Sequence, residues 1–298
     1  MYFDTSWYRY RGDGSVPSGH SYDSRGEAGR YLADAELVNA VNTALLVEQP
    51  LLVVGESGTG KTMLAWSVAS ELGLLPVLPF HTRSDHHARD VLFVIDNLKR
   101  FYDAQIASMH AASIENYITW QALGLAIRSE TQRVVLIDEI DKAPRDFPND
   151  LLDELDRMEF SVPDLNMTYR AKHRPIVIIT SNSERQLPDP FLRRCVFHHV
   201  DFPSEHALQA ILRERLGPLR LSDALVETAT TRFLQLRDPE LRLEKRPATG
   251  ELLAWLKMLS RANVDVGALA DAAPAELPFL GTLIKSQSDL TAIRSSAT

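Results

Sequence analysis

The chain has 298 residues, 45% of them hydrophobic and 24% charged, and a formal net charge of −8. That is length for one large domain, or one large and one small, with neither the composition of a disordered chain nor a solenoid repeat of roughly 20–45 residues. An acidic chain without a long Lys/Arg run is poorly built to neutralise nucleic-acid phosphates (a small basic pore inside an oligomer would escape that argument), and its one cysteine, Cys195, excludes an intrachain disulfide and points to a reducing compartment.

Residues 1–30, starting MYFDTSWYRYRGDGS, are rich in Gly, Ser, Tyr and Arg and show no clear period. They read as an extended arm ordered against a neighbour, with no apolar signal core. Asp34 caps a predicted helix whose apolar face is Leu37, Val38, Val41, Leu45 and Leu46, closed by Pro50. Residues 51–54 form a short unbroken apolar run, as expected of a buried parallel strand. A glycine-rich turn follows, then a helix carrying Met63, Leu64, Val68 and Leu72 and ended by Gly73.

Residues 77–80 read as a second strand. From 88 to about 128 the pattern is mainly helical, less regular from 110 to 116. A third buried strand is predicted over 134–137, a helix over 150–158, a hairpin over 160–169 and a fourth strand over 176–179. After Pro203 the strands stop. Residues 204–216, 222–236 and 249–261 each read as helix, broken at Gly217 and around Pro239. Alternating strands and helices predict an α/β layered domain with a mostly parallel sheet over 31–203. The change of pattern predicts a small helical domain over 204–298. No run reaches the ~18 apolar residues of a membrane helix, so a cytoplasmic setting is expected.

The chemistry is most legible at Gly55-Glu56-Ser57-Gly58-Thr59-Gly60-Lys61-Thr62, which fits G-x-x-x-x-G-K-[ST] between a β-run and a helix. Gly55, Gly58 and Gly60 let the backbone wrap so that successive N–H groups point at phosphates. The following helix adds its positive N-terminal field. Lys61 would supply a point charge to the β- and γ-phosphates, and the Thr62 hydroxyl would coordinate Mg²⁺. A glycine-rich turn that binds nothing is the bland alternative.

The run Val134-Val135-Leu136-Ile137 ends in Asp138 and Glu139. Ligands of a parallel sheet bind beyond the carboxyl ends of its strands, so both acids arrive at the phosphate end. Asp138 would hold Mg²⁺, directly or through its waters, and Glu139 would orient and polarise the attacking water. Alone, four apolar residues followed by two acids also describe a strand emerging into solvent. The phosphate loop upstream favours function.

The strings GESGTGKT, VVLIDEIDKAP, NDLLDELDRMEFSVPDL and LPDPFLRRC together resemble the AAA+ superfamily and, within it, the MoxR group of ATPases. The resemblance runs from about Tyr31 to the end, looser over 81–130 and 262–298. It implies a P-loop domain with a mostly parallel five-stranded sheet followed by a small all-helical lid, and ATP with Mg²⁺ as cofactors. The strand IVIITSN resembles the sensor 1 strand, which would bring Asn182 to the γ-phosphate or attacking water; an Asn in a turn is the plain alternative. Leu192-Arg193-Arg194-Cys195 resembles the arginine-finger segment, favouring Arg194 slightly over Arg193. Such an arginine, lent by a neighbouring copy, is worth roughly 10³–10⁵ in rate. The segment from Lys245 to Gly250 resembles the sensor 2 region, but Gly250 stands where relatives carry the arginine. Arg246 is the candidate there, against a solvated charge flanking a helix.

The same resemblance implies a homo-oligomeric ring, hexameric in expectation, that remodels or activates a partner protein containing a von Willebrand factor A domain. Roles in metalloenzyme maturation or multi-component stress and defence systems come with it. An ATP-operated scaffold with little turnover is a second reading, and a monomeric small-molecule kinase, which needs neither a trans arginine nor a helical lid, a third. His86–His87 and His198–His199 read as packed or solvated, since neighbours on a strand face opposite ways and no third ligand joins them. The arginines beside Cys195 could lower its pKa, but reactive chemistry is a poor reading. Residues 82–93 read equally as a pore loop bearing His86, His87 and Phe93 or as a plain connection.

Overall fold

The computed structural model describes residues 7–17, 31–106, 113–182, 184–216 and 221–295. They fall into two compact units. One holds the described residues up to Gly55 together with Lys61–Val200; the other holds Glu56–Gly60, the tip of the glycine-rich loop, with the described residues from Asp201 on.

In chain order the first unit runs α1 (Ala35–Val47), β1 (Leu51–Gly55), α2 (Lys61–Glu71), β2 (Leu78–His81), β3 (Phe93–Ile95), α3 (Asn97–Ile106), β4 (Ile118–Trp120) and α4 (Ala122–Ile127). It continues with β5 (Val134–Asp138), α5 (Phe147–Asp150), α6 (Leu152–Arg157), β6 (Glu159–Val162), β7 (Met167–Arg170), β8 (Ile176–Ser181), α7 (Asp189–Leu192) and β9 (Val196–Val200). The main sheet has five strands in the order β2-β5-β8-β1-β9, every pair parallel.

Both faces of this sheet are covered, which is why its central strands read as unbroken apolar runs. All five residues of β5 are buried. Val135 and Ile137 join a cluster with Phe80, Leu123 and Phe191 on one face. Val134 and Leu136 join Val41, Leu64 and Val68 on the other. Strand geometry sends successive side chains to opposite faces, so one short run feeds two cores. The helix predicted from Asp34 is α1; the Asp34 carboxylate accepts the Leu37 amide at 2.7 Å, satisfying a donor that the helix start leaves unpaired.

Three features differ from the sequence reading or go past it. The stretch from 88 to 128, read as mainly helical, contains β3 and β4 paired antiparallel, with α3 between them; residues 107–112 lie outside the described residues. Cross-strand packing decided this. Phe93 and Trp120 face each other at 6.0 Å between ring centroids and both meet Phe160. Gly124 on α4 admits the neighbouring backbone, since a Cβ there would lie 2.0 Å from the Leu92 carbonyl oxygen. Second, β9 supplies a fifth strand where no apolar run announced one: its residues are alternately half-buried and exposed, and it pairs with β1 from Leu51↔Val196 to Gly55↔Val200. Third, residues 7–17 are held by their own chain. Tyr10 is fully buried, Asn42 accepts the Arg9 and Tyr10 amides, and Glu71 accepts those of Arg11, Gly12 and Gly14. The rest of the predicted arm, apart from residues 7–17, lies outside the described residues.

The second unit contains α8 (Glu205–Leu216), α9 (Asp223–Leu236), α10 (Thr249–Arg261), α11 (Val266–Asp271) and α12 (Gln287–Ser295). Its core gathers Leu212, Phe233, Leu252, Trp255 and Ile293, all fully buried. Ser222 and Asp265 cap α9 and α11 with their side-chain oxygens. No described helix is long and apolar enough to cross a membrane.

Candidate functional site

The glycine-rich loop leaves β1 and enters α2, as its motif requires. Gly58 and Gly60 take φ values of 81° and 88°, a region that side chains disfavour. Gly55 is needed for a different reason: a Cβ would lie 2.4 Å from the Val200 carbonyl oxygen of the adjacent strand. Lys61 is buried at the start of the 11-residue α2, and its ammonium donates to the Gly55 carbonyl at 2.8 Å. The Thr59 hydroxyl donates to the Glu56 carbonyl at 2.9 Å, while Ser57 is exposed.

Strand order brings the next groups to the same edge. β8 lies between β1 and β5. The Thr62 hydroxyl donates to Asp138 Oδ1 at 2.9 Å, and the Thr180 hydroxyl donates to the same oxygen at 2.7 Å. His81 at the end of β2 places Nδ1 3.1 Å from Asp138 Oδ2. Beyond Asp138 the chain turns through Glu139 in a left-handed conformation, φ 57°. Its amide donates to Thr180 Oγ1 at 2.8 Å, and its Oε1 accepts the Asn182 side-chain amide at 3.0 Å. The other carboxylate oxygen is paired with the Lys142 ammonium.

Burial pushes the Glu139 carboxyl up, but hydrogen bonds from Lys142 and Asn182, with the charges of Lys142 and Lys61, outweigh it and hold its pKa below the usual glutamate value. Lys142 is raised in turn, chiefly by its hydrogen bond to Glu139. The chemistry of the donor set suits a magnesium nucleotide. Thr62 and Asp138 offer adjacent hard oxygens, and magnesium needs few protein ligands when phosphates and water complete its shell. The loop amides, Lys61 and the start of α2 offer positive charge to phosphates.

Lys61, Thr62, Asp138, Glu139 and Asn182 thus share one edge of the sheet. Arg193 and Arg194, after α7, do not join them. The Arg194 guanidinium donates to Asp156 at 2.6 Å and to the Pro190 carbonyl at 3.1 Å. Arg193 is exposed and its side chain pairs with none of the described residues. Arg246, in the second unit, is likewise exposed with no side-chain partner among the described residues.

The sequence reading left out Thr180, His81 and Asp141. The Asp141 carboxylate, nearly inaccessible, accepts the Asn182 amide at 3.1 Å and the Glu184 amide at 3.0 Å, so it fixes the turn that carries Asn182. The signal for Thr180 was a polar residue ending an apolar strand, in the string IVIITSN; nothing local marked His81. Cys195 is not activated by its arginine neighbours: burial, aided by the Asp156 charge, pushes its thiol up to about 12. Phe93, considered for a pore, is buried against Trp120 and Phe160; His87 is exposed and His86 packs on Phe80.

Residues 51–204 match the family model of the ATPase family associated with various cellular activities (AAA). Among solved structures, the chain is similar to the FIGL-1 AAA domain in complex with ADP at 17% identity and a TM-score of 0.44, covering 83% of this chain and 76% of that one. It is also similar to a proline-to-glycine mutant of RuvB from Thermotoga maritima, at 18% identity and a TM-score of 0.46, covering 78% of this chain and 69% of that one. No curated protein matches the sequence.

Proposed function

Because this chain belongs to the ATPase family associated with various cellular activities (AAA), we propose that it binds Mg²⁺·ATP at the 55–62 loop and hydrolyses it at the interface between neighbouring copies in a ring. One observation carries the reading: Thr62, Thr180, Asp138, Glu139 and Asn182 form a continuous hydrogen-bond network beside the loop. A lone loop would bind phosphate; this network also supplies a carboxylate for the metal and a second for water.

In this mechanism the loop amides and Lys61 hold the phosphates, with the Lys61 ammonium turning from the Gly55 carbonyl to them. Thr62 and Asp138 would hold Mg²⁺, which when bound supplies charge neutralisation on the phosphate oxygens. Glu139 orients the attacking water and accepts its proton, while Asn182 keeps the carboxylate aimed. The trans cation is Arg194, whose guanidinium is already oriented by Asp156 and Pro190, as a positioned charge requires. On the resemblance of its motif strings to the MoxR group, we read the client as a partner protein carrying a von Willebrand factor A domain, and the ring as a hexamer.

Glu139→Gln tests the chemistry. The variant should bind ATP as the parent does and release almost no phosphate; an unchanged hydrolysis rate would overturn the reading. A specific contact also favours slow resting turnover: both Glu139 oxygens are engaged, one by Lys142 and one by Asn182. An assembly that turns over little until its partner arrives accounts for this. Phosphate release measured with and without that partner separates a stimulated ATPase from a static scaffold.

A further inference from the structure

Arg237 lies outside every motif named above, at the end of α9, yet its side chain is only 8% exposed. Its Nη1 donates to the Pro247 carbonyl at 2.6 Å, its Nη2 is paired with the Glu56 carboxylate, and its guanidinium carbon stands 3.5 Å from the centre of the Phe202 ring. A guanidinium this far from water must have its donors satisfied and its charge countered. Here the counter-charge is a residue of the glycine-rich loop. Glu56 occupies an x position of G-x-x-x-x-G-K-[ST], where backbone geometry imposes no carboxylate.

A second contact joins the same two segments. Gly58 has φ 81°, and a Cβ built on it would lie 2.7 Å from the Ala248 side chain, at the N-cap of α10. The loop tip is therefore seated on the start of α10 by shape and tied to it by charge, through Arg237 and Pro247. A loop with three glycines loses much backbone freedom when it wraps a phosphate. A tether that restricts it beforehand reduces that loss on binding.

We propose that Arg237 is a positioning residue for the phosphate loop, acting through Glu56 to hold the loop tip in the conformation that receives the nucleotide. The inference rests on the ATP reading above. It gives the helical unit a basic residue that acts on the loop.

The test is the dissociation constant for a fluorescent ATP analogue with Mg²⁺, measured by titration on the full chain, with thermal unfolding alongside. Arg237→Ala and Glu56→Gln should each weaken binding about ten-fold, the scale of one lost charge-assisted hydrogen bond. The double variant should be no weaker than the poorer single, because both substitutions break one pair. Arg237→Lys should recover part of the affinity but not all, since an ammonium cannot serve Pro247 and Glu56 in the fixed geometry of the guanidinium. Glu56→Gln binding like the parent, or losses that multiply in the double variant, would overturn the inference. Should Arg237→Ala not fold, Glu56→Gln, at a half-exposed residue, decides the matter alone. A parent chain without affinity for the analogue would instead defeat the ATP reading itself.

Discussion

Thr180 bridges the two acids at the end of β5: its hydroxyl donates to Asp138 and its oxygen accepts the Glu139 amide. One small side chain on β8 therefore holds the Asp138 carboxylate and the backbone from which the Glu139 side chain extends. Thr180→Val, nearly the same shape, leaves the Glu139 amide unpaired and takes a donor from Asp138. Stability should fall by ~1–3 kcal/mol, the cost of a buried polar group left unsatisfied. Urea unfolding measures it, and Thr180→Ser should recover most of the loss. Equal stability for Val and Thr would mean that the bridge contributes nothing.

Glu139 dictates a pH dependence whose sign follows from its partners. Lys142, Asn182 and Lys61 hold its folded-state pKa below the usual value, against the upward push of burial. The carboxylate form is thus favoured in the fold above the unfolded pKa, and that advantage is lost as pH falls through the lowered folded value. The acid limb of the kcat/KM profile should lie correspondingly low. In Lys142→Ala the largest opposing contribution is gone and burial remains, so the limb should move towards neutral pH. An acid limb that stays where it was would contradict the role given to Glu139.

Arg194→Ala should leave ATP binding intact and lower turnover in the assembled protein by roughly 10³ or more, as for other trans arginines. Arg193→Ala should cost much less. Mixing Arg194→Ala with Glu139→Gln subunits offers a direct check: some interfaces then pair an intact Glu139 with an intact Arg194, and activity should reappear. No recovery in mixed assemblies would argue against a residue lent between copies.

Residues 7–17 should contribute to the stability of the first unit. Glu71 accepts three amides from this segment, and Asn42 two more. Glu71→Ala removes an acceptor from three amides at once, and the loss should be ~1–3 kcal/mol or more. Differential scanning calorimetry of Glu71→Ala beside a chain starting at residue 31 would read it. Matching transitions in all three proteins would show the segment to be dispensable.

The glycine-rich loop, the acidic strand end and the α/β class were legible because each is written in neighbouring residues: a G-x-x-x-x-G-K-[ST] string, an apolar run closed by acids, an alternation of strand and helix patterns. Local chemistry suffices for these, since turn geometry and burial on both faces act within a few positions. What tertiary structure decided was partnership. The three-residue strands β3 and β4 are too short to announce themselves and exist because Phe93, Trp120 and Phe160 pack together. Strand β9, with His198 and His199 in it, forms because β1 offers an open edge. Thr180 meets Asp138 across 42 positions and Arg237 meets Glu56 across 181. A contact between distant residues is paid for by the closure of everything between them, so only the completed fold, and no window of sequence, can say which of many polar side chains become partners.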